Sequence, residues 1–489
     1  MPDSPEAPAV YPRLDRRAFL AGAGAGAGWL LARGLGVPGL LGREEHDPGY
    51  AELLRALGAS LTPRQRELLV LPADHPSRQI ANTLSVLERP HLGTLLSPAQ
   101  RVLADRLCRS LLSARGREDF AGTFAVEGRF DGCVLALYGE PETGRAQTVL
   151  MGGHVMLRGG GESAEGAAFG GALAYGHQIG NLRWRVEGNA FAYHGDAANR
   201  LFARLDPAAR ARAVLPQAPH ELLLQVQRAD ADFPGVRVGS LSEAGQQEAG
   251  RLLETVFGCF PETGRKRALA CIDGNGGLAA LHVAFYATHG FYEDMQPWSA
   301  LSAVERARRG DPYWQVWRIE GPGTIVHFKG HPHVHAYVQV VRDPARANVG
   351  EALATTAQGV AGERMRRLLE GALRRATGEP LAYHGDELPG RFCPGEITTG
   401  LAYSLDPYRN PVVVASIDGR AMGPALRERL GGRGEAIEPG RRYRVASLRY
   451  FAEQRATFGE TARVEAGSVL LRDALVAHLR AGGLAEASG

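Results

Sequence analysis

Lysine is almost missing from this chain. All but two of its 56 basic residues are arginine, the exceptions being Lys266 and Lys329, a bias that a GC-rich genome produces without any arginine-specific chemistry. An excess of one charge is missing as well: 53 acidic residues leave a formal net charge of +3, with the signs interspersed. No basic stripe of the kind that nucleic acid demands is present, so nucleic acid is not expected as a partner. Cysteine is scarce. The five residues Cys108, Cys133, Cys259, Cys271 and Cys393 include no C-x-x-C pair, which argues against a zinc-thiolate core and against a fold held together by disulfides. Cys259 and Cys271 are the pair that an oxidising compartment would close, with buried free thiols the equal alternative. No run reaches the roughly 20 consecutive apolar residues of a confident membrane span. Linkers rich in proline or serine are absent too.

What is present begins near the N-terminus. Asp15-Arg16-Arg17-Ala18-Phe19-Leu20 leads into a short apolar run that ends about Leu31, a charged region followed by a hydrophobic one, as in a twin-arginine export signal. Residues 1–42 are therefore read as a targeting segment. The expectation is a protein that folds before it meets the twin-arginine translocase and works in the periplasm or outside the cell, anchored only if the signal is retained. The roughly 440 residues that remain exceed what one hydrophobic core serves, which predicts two or more domains.

Leu53, Leu54 and Leu57 fall at helical spacing, and Ser97-Pro98 opens a further helical run to Leu112. Strand-like runs follow at 123–126, 132–138 and 147–157, the last two separated by Gly-Glu-Pro-Glu-Thr-Gly, which has hairpin chemistry. Helices are expected at 197–214 and 244–257, and strands at 268–272, 278–286, 313–319, 324–328 and 334–341. Beyond about residue 350 the pattern predicts a helix at 364–376, strands at 412–417 and 443–447, and a closing helix at 470–479. The fold class read from this order is α+β: N-terminal helices and an antiparallel β-rich domain carrying a His-x-His strand (residues 50–350), then a smaller α/β domain (351–485). Ala192-Tyr-His-Gly-Asp196 is echoed by Ala382-Tyr-His-Gly-Asp386, and a match of five residues without flanking similarity is treated as coincidence.

Four of the chain's 15 histidines, His327, His331, His333 and His335, fall within nine positions. Side chains alternate along a strand, so His333 and His335 share a face if the segment is a strand, and His327 and His331 precede them by even steps. Pro332 cannot donate to a ladder, which puts His331 on a lead-in loop. The candidate strand 148–158 adds His154. Three neutral imidazoles with an open position suit zinc, copper, iron or manganese, so one transition-metal ion is the expected cofactor. Solvated or hydrogen-bonded strand histidines are the plainer alternative.

Val134-Leu-Ala-Leu-Tyr-Gly-Glu-Pro141, Gly153-His154, Ala168-Phe-Gly-Gly-Ala172, Trp317-Arg-Ile-Glu-Gly-Pro322, His333-Val-His335 and Arg342-Asp-Pro344 resemble, in order, the bacterial domain-of-unknown-function family numbered 3500, over about residues 50–350. The resemblance pairs His154 with His333 and His335 and implies no reaction. Pro394-Gly-Glu-Ile-Thr398, Asp406-Pro-Tyr-Arg-Asn-Pro411, Ile417-Asp-Gly419 and Tyr443-Arg-Val-Ala446, in turn, resemble the C-terminal domain of 5'-nucleotidases. That likeness implies substrate contacts from Arg391 and, as a base-stacking aromatic, Phe458. The resulting expectation is an exported metal-dependent hydrolase of an ester or phosphoester whose small-molecule substrate the sequence leaves unnamed. A copper- or iron-dependent oxidoreductase and a non-catalytic envelope protein that binds metal or ligand are the alternatives, and the identity of the metal separates the first two.

Overall fold

A computed structural model describes residues 49–80, 89–126, 130–152, 155–160, 167–176, 191–221, 224–288, 314–330, 334–385, 388–406, 408–432, 434 and 436–486. The expected export signal, His154, His331 and His333 lie outside the described residues. No helix among them is long and apolar enough to cross a membrane.

Helix α1 (Tyr50–Ser60) buries Leu53, Leu54 and Leu57, the three leucines at helical spacing. Helix α2 (Pro98–Ser110) starts at Ser97, whose hydroxyl accepts from Gln100 N while the Gln100 side chain accepts from Ser97 N. This reciprocal cap sets the start where the sequence places it. Helix α3 (Ala114–Val126) overturns the strand expected at 123–126. Ser113 Oγ accepts from Gly116 N at 3.0 Å, and a helix capped there propagates at one bond per residue through a segment of strand-like composition.

The first sheet joins β1 (Val70–Leu71), β2 (Val134–Glu140), β3 (Arg145–Met151) and β4 (Met156–Gly159) in that order. β2 and β3 form the hairpin expected across the Gly-Glu-Pro-Glu-Thr-Gly turn. The single strand expected at 147–157 is instead two strands, with Gly152 N donating to Val155 O at 2.7 Å at the reversal.

Helices α4 (Ala192–Ala203) and α5 (Pro207–Ala213) replace one expected helix, because Asp206 caps a new start ahead of Pro207. Helix α6 (Glu243–Phe257) stands as expected. Helix α7 (Glu262–Gly274) takes in the segment 268–272, which overturns the strand expected there. Its buried residues Ala268, Cys271 and Ile272 have the i, i+3, i+4 spacing of one helical face, a pattern hidden within a five-residue apolar run.

The second sheet orders β5 (Ala167–Gly176), β11 (Val334–Val341), β10 (Thr324–Lys329), β9 (Val316–Gly321), β8 (His282–Thr288) and β6 (Val214–Gln217), with β7 (Val236–Arg237) beside β8. Gly323, at φ 69°, turns β9 into β10. One face of this sheet is apolar. Val283, Phe285, Trp317, Ile319, Val326, Phe328 and Val338 join a core shared with α1, α2, α4, α6 and α7, where Trp317 stacks on Phe328 at 5.3 Å.

The last part of the chain builds its own core from residues 360–484. Strands β12 (Ala352–Thr356) and β14 (Gly395–Thr398) pair, and β13 (Leu381–Ala382), β16 (Arg442–Leu448), β15 (Val412–Asp418) and β17 (Arg463–Glu465) form a four-stranded sheet. Helices α8 (Gly362–Thr377), α9 (Thr399–Leu405) and α10 (Leu471–Arg480) pack around it. This part is tied to the earlier one by Gln79 Oε1, which accepts from Val349 N at 2.8 Å, and by Gln225 Oε1, which accepts from Cys393 N at 3.0 Å. The two copies of Tyr-His-Gly differ in structure. Tyr193-His194 opens α4, whereas Tyr383-His384 follows β13, as expected of a coincidence.

Candidate functional site

The other face of the second sheet is polar and buried. Register places Arg318 opposite His327, His327 opposite Tyr337, and Lys329 opposite His335. Directly opposed residues share a face, so Arg318, Glu320, His327, Lys329 and His335 project together, with Tyr286 on β8 beside them. All are buried, His327 at 1% and Lys329 at 4% exposure. His327 and His335 thus share a face through the pairing of two strands.

The centre of this patch is Glu221, from the irregular segment before β7. His335 Nδ1 lies 2.7 Å from Glu221 Oε2, and Lys329 Nζ lies 3.0 Å from Oε1. Burial pushes the Glu221 carboxyl up, but Lys329, His335 and His327 together outweigh it and hold the group well below the usual carboxylate range. His327 is lowered to about 4 by burial, with Arg318 acting the same way and Glu221 opposing. It is therefore neutral near pH 7. Its Nδ1 accepts from Arg318 Nε at 3.4 Å, which leaves the ring proton on Nε2, 3.5 Å from Glu221 Oε1 and, among the described residues, without a hydrogen-bond partner. Burial also brings His220 down to about 4.

Toward β8 the patch continues with Arg318 Nη1, 3.6 Å from Glu320 Oε2, while Arg318 Nη2 and Tyr286 Oη are buried without partners among the described residues. Tyr286 is raised to about 12 by burial, against the pull of Arg318 and Arg391. Arg391, one of the two residues singled out by the nucleotidase resemblance, is exposed and acts on this face electrostatically from the last part of the chain. Burial raises the Cys393 thiol above its ordinary value, against the pull of Arg391. Phe458, the second residue, is fully buried in the C-terminal core, edge-on to Tyr383 at 5.8 Å.

Of the five histidines expected to hold a metal, His327 and His335 meet here, while His154, His331 and His333 lie outside the described residues. Among the described residues no group of three or more His, Cys, Asp or Glu side chains is arranged to hold an ion. The donors present do not fit one by themselves, because the Lys329 ammonium already neutralises Glu221 and Arg318 already occupies His327 Nδ1. All five cysteines are buried, and none forms a disulfide. Cys259, instead of pairing with Cys271, sits 3.1 Å from Tyr193 Oη.

Sequence reasoning missed Glu221, Arg318 and Lys329. Lys329 carried a signal, being one of two lysines and lying inside the histidine motif. Glu221 carried none, since it is 114 residues from His335 and in no regular element.

No curated protein matches this chain. Similar solved structures include the 5'-nucleotidase precursor from Thermus thermophilus, at 14% identity over 35% of this chain and 47% of that one, TM-score 0.23. The NAD nucleotidase of Haemophilus influenzae gives 11% identity, 35% and 51% coverage and a TM-score of 0.22. A putative 5'-nucleotidase from Staphylococcus aureus gives 11%, 34%, 48% and 0.21. The chain thus spans about half the length of the structures it matches. Residues 45–298 match the family described as protein of unknown function (DUF3500). As that match covers more than half of the sequence, the chain belongs to the DUF3500 family.

Proposed function

We propose that this protein is an exported hydrolase of an anionic ester, a phosphoester or a carboxylic ester, working at the polar face of the second sheet. The observation that carries this reading is the buried contact of Glu221 with His335 at 2.7 Å, beside the Lys329 ammonium at 3.0 Å. A carboxylate that accepts from Nδ1 fixes the tautomer of an imidazole and leaves Nε2 to take a proton from attacking water. Lys329 and Arg318 supply positive charge where an oxyanion would develop, in surroundings poor in water, where such charge acts most strongly, and the exposed Arg391 adds to it from outside. Export rests on the twin-arginine pattern of residues 15–31.

The test is hydrolysis of chromogenic phosphomonoesters and carboxylic esters by protein purified after export, with and without a chelator. Under this reading His335→Gln lowers kcat by about 10²- to 10⁴-fold with circular dichroism unchanged, while the exposed His91→Ala keeps full rate. Full activity in His335→Gln overturns the proposal. Loss of wild-type activity on chelation, restored by zinc or manganese, would replace it with the metal centre expected from His154, His333 and His335.

A further inference from the structure

Glu221 stands in no helix or strand, so its place depends on how the chain on either side of it is anchored. Upstream, β6 pairs with β8, and Ala218 packs with Ala284, Tyr286 and Val316. Downstream, Leu224 and Val226 are buried in an apolar cluster with Ile325 and Tyr337, which lie on the same sheet face as His327 and Lys329. Gln227 O then accepts from Gly323 N at 3.0 Å, on the turn between β9 and β10. Gln225 follows Glu221 by four positions, so covalent connectivity confines Glu221 once Gln225 is fixed.

Gln225 is fixed from the other part of the chain. Its Oε1 accepts from Cys393 N at 3.0 Å, and both residues are buried. A buried amide N–H left without an acceptor is costly, so this bond is kept whenever the C-terminal region is docked. The donor belongs to the backbone, and its position therefore follows that of the turn 391–393. That turn is held in the C-terminal region by Phe392, whose N and O pair with Val360 O and N at 3.0 and 2.9 Å. Phe392 and Val360 are both part of the C-terminal core. The second tie between the two parts is of the same kind but leads elsewhere. Gln79 Oε1 accepts from Val349 N at 2.8 Å, and Gln79 ends the 3-10 turn Pro76–Gln79, which contributes no residue to the Glu221 face.

We propose that the docked C-terminal region positions the Glu221 carboxylate: the turn 391–393 holds Gln225, and Gln225 holds Glu221 against His335 and Lys329. Gln225 is thus a positioning residue, and docking of the C-terminal region is a condition for an assembled site. The consequence for turnover rests on the proposed hydrolysis, whereas the coupling itself does not. The carboxylate has to meet two groups at once, His335 Nδ1 at 2.7 Å and Lys329 Nζ at 3.0 Å. Those two groups sit opposite each other on paired strands and stay in place when Glu221 shifts. A displacement of about 1 Å is enough to break the contact with His335.

Proton NMR of the full-length protein tests this, because an imidazole N–H bonded to a carboxylate away from water gives a resonance far downfield of the amide protons. Wild type is expected to show one that His335→Gln removes. Gln225→Leu, which takes the acceptor from Cys393 N, is expected to remove it too, with circular dichroism unchanged. On the chromogenic esters the same variant lowers kcat about 10- to 100-fold and leaves KM unchanged, since Lys329 and Arg318 stay on their strands. Gln225→Glu keeps an acceptor oxygen and retains both the resonance and the rate. Gln79→Leu breaks the other tie and lowers the melting temperature, with resonance and kcat as in wild type. Should Gln225→Leu fail to fold, Gln225→Asn, one methylene too short to reach Cys393 N, is read in its place. A resonance kept in the Gln225 variant, or lost equally in Gln79→Leu, overturns the proposal, as does wild type with no resonance that depends on His335. Full activity in His335→Gln would sink the hydrolase and leave the resonance to decide the coupling.

Discussion

The second sheet and the C-terminal sheet of this protein treat charge in opposite ways. In the second sheet, β5 to β11, one face is a packed apolar core and the other encloses Glu221, Arg318, Glu320, His327, Lys329 and His335. In the C-terminal sheet, Arg444 meets Glu379 and Glu465 at the surface, and the core is built from side chains such as Ile417, Val445 and Phe458. Surface pairs are screened by water and contribute little, whereas a buried cluster is costly to assemble and is kept where its electrostatics serve a purpose. Under the proposed function, the earlier region therefore carries the chemistry. The later region supplies Arg391 to it through the turn ahead of β14.

If that contrast is correct, truncating either apolar core should be comparable and large. Trp317→Ala and Phe458→Ala should each cost about 3–5 kcal/mol, read by urea denaturation. A cost under about 1 kcal/mol at either position would show that core to be loosely packed. Removing one carboxylate from each sheet should separate them. Glu221→Gln removes the carboxylate that Lys329 and His335 contact and should cost about 3 kcal/mol, whereas Glu465→Gln should leave the melting temperature unchanged. Equal effects would erase the distinction between the sheets.

Acid titration gives the smallest and sharpest comparison. His194 in the earlier region is lowered to about 3 by burial, with Arg115 acting the same way. It is neutral when folded and protonates readily when unfolded, so its contribution is complete above its unfolded value near 6.5 and is lost as pH falls toward 3. Asp406 in the C-terminal region is raised to about 6 by burial, against the Asn410 hydrogen bonds. Its contribution is present below its unfolded value near 3.8 and is lost as pH rises through 6. Asp406→Asn should therefore raise the melting temperature at pH 7.5 relative to pH 5, when each is compared with wild type. A difference from wild type that stays constant across that range would show that Asp406 does not titrate there.

Much of the fold is readable from residues in order. Ser97 with Gln100 fixes the start of α2, Leu53, Leu54 and Leu57 mark the buried face of α1, and the alternation through residues 324–341 marks the hairpin of β10 and β11. Two of the errors come from short segments. Residues 123–126 and 268–272 have compositions that suit a strand, but each continues a helix that is nucleated upstream, at Ser113 and near Pro261. Local composition cannot outweigh propagation from a cap. The candidate site is half legible. His327 and His335 are visible as a pattern, and Arg391 through its motif, whereas Glu221 has no neighbour in sequence that announces it.

The sequence by itself determined the family, the α+β class and the short-range order: caps, turns and the alternation of two strands, all of which depend on residues within a few positions of one another. Only the tertiary structure decided that Glu221 lies between His335 and Lys329. The physical reason is one of separation. Charges interact through space as the inverse of distance, and folding brings to 2.7 Å two groups, on Glu221 and His335, that lie 114 positions apart along the chain.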